Sequence, residues 1–327
     1  MKFLLTLLLL LLLAVGAAAY IVYTPYGPSA ETFVDIPPGT GATAVATLLR
    51  KNGIIRSRYA FALLRLTRDG TFKAGEYRFD HPAPPGEIYD RLLRGDVYTQ
   101  ALTIPEGYNI FDIATAVESA GFARRDVFLA AERQHTELIA SLLPPGAHPE
   151  SLEGYLFPDT YHFSRHAAPL QMLTAMVHRF RQVSAQLGID HANMARTVIM
   201  ASLIEKEVGQ ETERPLVAGV FVNRLAKSMP LATDPTVIYA ALLDNRWRGT
   251  IYASDLKSTS PYNTYLHTGL PPGPICNPGL ASLRAAIDPR QTDYLYFVSD
   301  AAGHTRFSVG LKEHAEQVQA YRQAQKR

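Results

Sequence analysis

The stretch VDIPPGTGATAVATLLRKNGI, residues 34–54, decides how the first half of this chain folds. Its opening residues predict a short strand, and Pro-Pro-Gly predicts a turn. From Ala42 to Leu49, apolar residues recur at the three- and four-residue spacing of an amphipathic helix. Asn52 and Gly53 are a typical C-terminal stop, so we expect the helix to end there.

The stretch LTIPEGYNIFDIATAVESAGF, residues 102–122, repeats this pattern. Aligning Ile36 with Ile104 also matches Pro37 with Pro105, Gly39 with Gly107, Ala46 with Ala114, Thr47 with Thr115 and Gly53 with Gly121. We interpret the two stretches as copies of one strand-turn-helix unit. Between them, the sequence predicts strands at 72–79 and 97–104 and a short helix at 86–96.

The C-terminal half has a different pattern, beginning after the Pro- and Gly-rich residues 142–154. Asp234 followed by Pro235 is typical of a helix start with Pro at its first position, and a hairpin is expected around Gly303. Further helices are predicted at 169–188, 193–208, 214–226 and the charged C-terminus, with a long irregular segment at 258–279. The fold class predicted for the whole chain is therefore α+β, with a mainly helical C-terminal half and a minor sheet.

The N-terminus predicts a transmembrane helix. No charged residue occurs from Phe3 to Tyr23, and about twenty apolar residues are what a helix needs to cross a bilayer. Lys2 favours a cytoplasmic N-terminus, with the body on the other side of the membrane. The small residues at 17–19 leave open a cleaved signal peptide, which would put the body in the same compartment. Residues 24–30 are expected to form a linker.

The composition argues against several classes of protein. A formal net charge of +2 without a run of like charges argues against a nucleic-acid partner. The single cysteine, Cys276, excludes a disulfide within the chain. His162 and His166 are four residues apart, but neither an HExxH nor a GxSxG motif occurs. We therefore expect no metal and no cofactor, and no serine hydrolase.

The helix containing MASLIEKEVGQE, residues 200–211, has two glutamates on different faces. At 100° per residue, Glu205 falls beside small or apolar residues such as Ala201, and Glu207 points 200° away. Because partial burial helps a carboxyl hold its proton, Glu205 is the better general-acid candidate. The alternative is a structural ion pair between Glu205 and Arg214 or Arg224.

Two loops rich in aromatic, Asn and Tyr residues, at 153–163 and 260–273, suit a saccharide ligand, although packed structural loops have the same composition. The sequence resembles the endolytic lytic transglycosylases of bacterial peptidoglycan, the MltG or YceG-like type. The motifs that carry the resemblance are LEGYLFPDTY (152–161), ASLIEKE (201–207), VFVNRL (220–225), LATDPTVIY (231–239), YNTYLHTGLPPGPICNPG (262–279) and YLYFV (294–298).

The resemblance implies a transmembrane anchor at 1–24, a LysM-like region at 25–145 and a catalytic domain at 146–327. It implies non-hydrolytic cleavage of the β-1,4 bond between N-acetylmuramic acid (MurNAc) and N-acetylglucosamine (GlcNAc), leaving 1,6-anhydro-MurNAc ends. Glu205, the first Glu of the EKE motif, would be the catalytic residue. The residues implied to line the glycan cleft are Glu153, Thr233, Asp234, Tyr262, Asn263 and Tyr265.

The resemblance also implies a single-pass protein of the bacterial cytoplasmic membrane, with its body on the outer side. Its expected partners are peptidoglycan glycan strands and the peptidoglycan synthases. Two departures from the family pattern, Tyr and Phe in EGYLFPDTY and Ala in LATDPT, put some sugar contacts in doubt. Two alternatives stay open: a non-catalytic glycan-binding scaffold, and a hydrolase whose second carboxylate is Glu153, Asp159 or Asp234.

Overall fold

The computed structural model describes residues 2–299 and 305–324. The chain folds as two compact units, Met1–Gln100 and Ala101–Arg327. Helices and small two-stranded sheets make up both units, and about half of the residues are helical. The predicted mixture of helices with small sheets is therefore confirmed, whereas the LysM-like character of residues 25–145 stays a prediction.

The first unit packs helices on one antiparallel strand pair, in which Thr32 pairs with Phe79 and Ile36 with Gly75. Val34 and Ile36 are buried and Asp35 between them is exposed, the alternation of a strand with one face on a core. The elements of this unit are α1 (Lys2–Tyr23), β1 (Thr32–Ile36), α2 (Ala42–Lys51), α3 (Tyr59–Leu64), β2 (Gly75–Phe79) and α4 (Pro85–Arg94).

Helix α1 is long and apolar enough to cross a membrane, and nearly all of its side chains are exposed. Only its last turns contact the rest of the first unit, where Val22 is buried. Arg56 stacks on the ring of Tyr20, 4.9 Å from its centroid, and donates a hydrogen bond of 2.8 Å to its hydroxyl. This contact ties the end of α1 to the folded part of the unit.

The second unit is mainly helical. Its elements are β3 (Gln100–Thr103), which spans the division, α5 (Ile110–Ser119), α6 (Arg125–Gln134), a 3₁₀ helix (Thr136–Leu142), β4 (Thr160–Phe163), α7 (Pro169–Gln186), α8 (His191–Glu207), a 3₁₀ turn (Glu211–Glu213), α9 (Arg214–Ala226), α10 (Asp234–Leu243), α11 (Ala253–Leu256), α12 (Leu280–Ile287), β5 (Tyr296–Ser299), β6 (Thr305–Ser308) and α13 (Leu311–Ala324). Strands β5 and β6 form the predicted antiparallel hairpin. Gly303, expected at its tip, lies outside the described residues.

The backbone confirms the internal repeat. Gly39 and Gly107 both have φ of +78°, a conformation that glycine adopts without strain. In each copy the residue after this glycine donates to the carbonyl of the matched proline, Thr40 to Pro37 and Tyr108 to Pro105. Both copies therefore contain the same turn, with glycine third, as in a type II turn.

The two copies belong to different units, because β1 pairs with β2 whereas β3 pairs with β4. Helix α5 of the second copy packs on α6, and its buried residues join the core that also contains residues of α7 and α8. The division between the two compact units falls between Gln100 and Ala101. The domain boundary at 145 that the resemblance implies stays a prediction. The second copy is part of the unit that carries the EKE motif.

Candidate functional site

Glu205 lies in the last turn of α8, and only 5% of its side chain is exposed. Its Oε1 accepts a hydrogen bond of 3.1 Å from Nη2 of Arg214. Its Oε2 accepts one of 2.9 Å from the backbone N–H of Gly279. The sequence analysis named an ion pair with Arg214 or Arg224 as the structural alternative for Glu205, and the pair with Arg214 is present. A catalytic role for Glu205 must therefore be compatible with this ion pair.

Arg214 is the first residue of α9, and 9% of its side chain is exposed. Its second terminal nitrogen, Nη1, lies 3.8 Å from Oε2 of Glu106. A guanidinium so far out of water requires negative partners, because an unpaired buried charge is costly. One buried cation therefore stands between two carboxyl groups.

Glu106 is the carboxylate that the sequence analysis missed. It is the second residue of the Pro105–Tyr108 turn, and half of its side chain is exposed. Burial, and next the negative charge of Glu205, raise the pKa of Glu106 above its usual value, and Arg214 opposes them. The internal repeat could have identified Glu106 from the sequence. Glu106 aligns with Pro38 of the first copy, so only the second copy has a carboxyl at this position of the turn.

Gly279 completes the site because a larger residue there would displace the carboxyl of Glu106. A Cβ built on Gly279 would lie 1.9 Å from Oε1 of Glu106, although the φ of −77° suits any residue. The turn containing Glu106 is tied to the same loop, since Gly107 donates to the carbonyl of Asn277 and the Asn277 amide donates to the carbonyl of Tyr108. Glu106 and Glu205 are thus held on Gly279 from two elements.

Glu207 lies on another face of α8, in a separate cluster with Arg224, Asp234 and Tyr265. The prediction that Glu205 and Glu207 lie on different faces of the helix is therefore confirmed. Burial, and then the charge of Asp234, raise the pKa of Glu207 to about 7, while Arg224 opposes the rise. The Tyr265 hydroxyl donates a hydrogen bond of 2.7 Å to Oδ1 of Asp234. Asp234 and Tyr265, both predicted to line the cleft, are exposed and lie together.

Glu153 is 2% exposed and lies inside the unit. Its carboxyl accepts hydrogen bonds from the backbone N–H of Ile110, at 2.9 Å, and from the Asn277 amide, at 2.8 Å. Burial raises the pKa of Glu153 to about 8. Glu153 and Tyr262 also contribute to the wall of a cavity of about 510 Å³ that Glu205 does not line.

Asn263 and Thr233 are buried as well. The Asn263 amide donates to the carbonyls of Leu256 and Ser258, at 3.0 and 2.7 Å, and its oxygen accepts from the backbone N–H of Tyr265. The Thr233 hydroxyl is buried without a hydrogen-bond partner in the structure. Asn263 therefore fixes the loop that presents Tyr265, instead of facing solvent.

Asp159, one of the carboxylates considered for hydrolysis, is engaged elsewhere. It forms an ion pair of 2.8 Å with Arg179 and accepts from its own neighbour, the backbone N–H of Thr160. Among the acidic residues that the sequence analysis named, Glu205 lies on Arg214 and Gly279, and the described contacts bring none of the others to that pair. The carboxyl that does reach Arg214 is that of Glu106.

Comparison with known proteins places these residues in one family. The YceG-like family model matches residues 34–320. An endolytic murein transglycosylase of Bacillus subtilis is 33% identical over 305 residues, which cover 88% of this chain and 84% of the relative. A protein of the same name from Streptococcus pneumoniae, serotype 2, is 29% identical, and the match covers 87% of this chain but only 57% of that relative.

A solved structure shows the same fold. The crystal structure of a YceG-like protein from Listeria monocytogenes is 32% identical to this chain, with a TM-score of 0.56. The match covers 88% of this chain and 99% of that one. A family match spanning most of the chain, a relative above 30% identity and the shared fold agree with one another. The chain belongs to the YceG-like family.

Proposed function

We propose that this protein is an endolytic peptidoglycan transglycosylase, a lyase that cuts glycan strands at the MurNAc–GlcNAc β-1,4 bond without water. Its products end in 1,6-anhydro-MurNAc, and cleavage of newly made strands stops their elongation. The observation that carries the proposal is the carboxyl of Glu205, held by Arg214 and the Gly279 amide. It occurs in a chain whose curated relatives are named endolytic murein transglycosylases.

Glu205 would serve both proton transfers. As the acid it protonates the glycosidic oxygen, so that the leaving sugar departs as an alcohol. As the resulting carboxylate it accepts the proton of the C6 hydroxyl, whose oxygen then bonds to the anomeric carbon. The Arg214 guanidinium and the Gly279 N–H stabilise the carboxylate between these steps, because charge-assisted hydrogen bonds are the stronger ones.

The other predicted cleft residues divide by exposure. Asp234 and Tyr265 are exposed and hydrogen-bonded to each other, so we assign them to contacts with sugar hydroxyls. Glu153, Thr233 and Asn263 are buried, and we assign them to holding the shape of the cleft. Tyr262 borders the same cavity as Glu153 and packs on Tyr239, with ring centroids 5.1 Å apart.

We further propose that α1 spans the bacterial cytoplasmic membrane and that the body faces the cell wall, where new strands are made. A peptidoglycan synthase is the expected protein partner. Its co-purification with the intact chain in mild detergent would support this partnership, and repeated absence of a synthase from such preparations would refute it.

A hydrolase is the second candidate, and the position of Glu106 favours it. A glycosidase that uses water needs two carboxyls, about 5–5.5 Å apart when it retains and about 6.5–9.5 Å when it inverts the anomeric configuration. Glu106 and Glu205 both lie on Arg214 and Gly279, which places a second carboxyl in the site.

The deciding experiment digests uncrosslinked glycan strands with the full chain in detergent and identifies the ends by mass spectrometry. The variants are Glu205→Gln and the control Glu211→Gln, which alters an exposed glutamate in the 3₁₀ turn before α9. Internal fragments with anhydro ends, lost only in Glu205→Gln, are expected. Reducing ends, heavier by one water, would mean a hydrolase, and strands left intact by the unaltered chain would favour the scaffold.

A further inference from the structure

The site contains two carboxyls and one buried cation, and this arrangement constrains where protons reside. Nη2 of Arg214 bonds Glu205 at 3.1 Å, and Nη1 lies 3.8 Å from Glu106. Only 9% of the Arg214 side chain and 5% of the Glu205 side chain are exposed. Arg214 and Glu205 are therefore not solvated surface charges, whereas half of the Glu106 side chain is exposed. Moving a proton between the two carboxyls changes which of them balances the buried cation.

A general acid must be neutral before it reacts, and a neutral Glu205 no longer balances the charge of Arg214. When Glu205 holds a proton, the buried guanidinium loses its nearest counter-ion, which is costly in a poorly solvated position. Glu106 is placed to take over, because it already faces the other terminal nitrogen of Arg214. The opposite state is balanced too, since an ionised Glu205 pairs with Arg214 while Glu106 holds the proton.

We propose that Glu106 and Glu205 share one proton and that Arg214 balances whichever carboxylate is charged, which makes Glu106 a positioning residue for the acid. The inference rests on the proposed role of Glu205. The proton moves from Glu106 to Glu205 before the glycosidic bond breaks, and the negative charge moves the opposite way. No bond other than those to the proton changes in this step.

The remaining charged groups around Glu106 do not replace this partnership. Glu211, in the 3₁₀ turn before α9, raises the pKa of Glu106 as the smallest of the named causes, after burial, Glu205 and Arg214. Lys206 directs its Nζ to the carbonyl of Gly107, 3.3 Å away, and so faces the turn backbone. Gly279 supplies contact and no charge.

The first test needs no substrate. The carboxyl ¹³C signal of Glu106 is assigned in the full chain by its loss in Glu106→Gln, and its titration is followed by NMR. In Glu205→Gln we expect the titration midpoint of Glu106 to fall, because the like charge of Glu205 has been removed. The matched control Glu211→Gln should lower it less. An unchanged midpoint in Glu205→Gln would overturn the shared proton.

A second variant tests the same contact in case Glu205→Gln does not fold. Gly279→Ala changes no charge but places a methyl group where the Glu106 carboxyl lies. If the two carboxyls share a proton, displacing one should also lower the Glu106 midpoint. A midpoint equal to that of the unaltered chain would contradict the contact on which the inference is built.

The second test measures cleavage and separates the two proposals. In Glu106→Gln we expect kcat to fall by at least about tenfold, with KM little changed and an altered pH profile, and Glu106→Asp should recover part of the loss. Activity equal to that of the unaltered chain at every pH would refute the positioning role. If the unaltered chain cleaves nothing, the proposed function fails, while the NMR titration still decides whether the proton is shared.

Discussion

Replacing Glu153 by Gln tests how a buried carboxyl sets the pH dependence of stability. Glu153 is 2% exposed, and burial raises its pKa from 4.5 to about 8 in the folded chain. Hydrogen bonds from Ile110 and Gly154 N–H groups and from Tyr239 oppose this rise without cancelling it. In the unfolded chain the carboxyl is solvated and ionises near its usual value.

The sign follows from which state binds the proton. Between pH 4.5 and about 8, folded Glu153 keeps its proton whereas the unfolded chain has lost it, so stability is full below 4.5 and falls as pH rises. Each pH unit in that interval lowers the free energy of unfolding by about 1.4 kcal/mol, and the whole interval lowers it by about 5 kcal/mol. Gln cannot ionise, so Glu153→Gln should lose this contribution to the pH dependence.

Unfolding by urea between pH 5 and 8, followed by the fluorescence of Trp247, measures the effect. Trp247 is the only tryptophan and lies in the second unit with Glu153. Burial also raises the pKa of Glu132 and of Glu207, so the informative quantity is the difference between variant and unaltered chain. We expect this difference to shift in favour of the variant by about 1.4 kcal/mol per pH unit.

The control is Glu150→Gln, which alters an exposed glutamate three residues earlier in the same segment. Its stability should run parallel to that of the unaltered chain. A constant difference between Glu153→Gln and the unaltered chain from pH 5 to 8 would refute the reasoning, because it would mean that folded Glu153 ionises as a solvated carboxyl does.

Three further substitutions test packing around the site, each by urea unfolding. Gly279→Ala should change stability by less than about 1 kcal/mol, because the atom it meets is the flexible end of Glu106, yet it should reduce strand cleavage. Gly219→Ala should lower the free energy of unfolding by about 1–3 kcal/mol, since its Cβ would meet the backbone oxygen of Arg290. Equal losses of stability in Gly279→Ala and Gly219→Ala would contradict the distinction between a flexible side chain and a fixed backbone atom. Asn263→Ala should cost about 2 kcal/mol by leaving two carbonyls without a donor, and no loss would mean that water replaces the amide.

The helices around the site were predictable because their signals are local. The helix predicted at 193–208 runs from His191 to Glu207, and Asp190 caps it by accepting from the backbone N–H of Asn193. The helix predicted at 214–226 has those bounds in the structure. Apolar spacing and capping residues are read from neighbouring positions, and tertiary contacts did not override them.

The helical-face argument also separated the two glutamates correctly, since Glu205 meets Arg214 and Glu207 lies near Arg224 and Asp234. The directions of side chains in irregular segments were not predictable. Glu153 belongs to a loop without periodicity, so its sequence gave no indication that it points inward. Glu106 reaches Arg214 across a large sequence separation, and no local pattern reports such a contact.

The internal repeat supplies a sharper control for Glu106 than a polar replacement does. The turns at Pro37 and at Pro105 have the same hydrogen bond and the same glycine φ of +78°. Their third position therefore requires glycine, whereas their second accepts either Pro38 or Glu106. Only the second copy has a carboxyl at this position.

Glu106→Pro should accordingly keep the turn, because the first copy already has a proline after a proline at this point. Proline fixes φ near the value that the second position of the turn needs, so stability should be unchanged or higher by up to about 1 kcal/mol. The carboxyl would be absent, and cleavage should fall as far as in Glu106→Gln. A marked loss of stability, measured by urea unfolding through Trp247, would show that the second turn depends on the Glu106 side chain for its fold, and the loss of cleavage could then no longer be assigned to the missing charge.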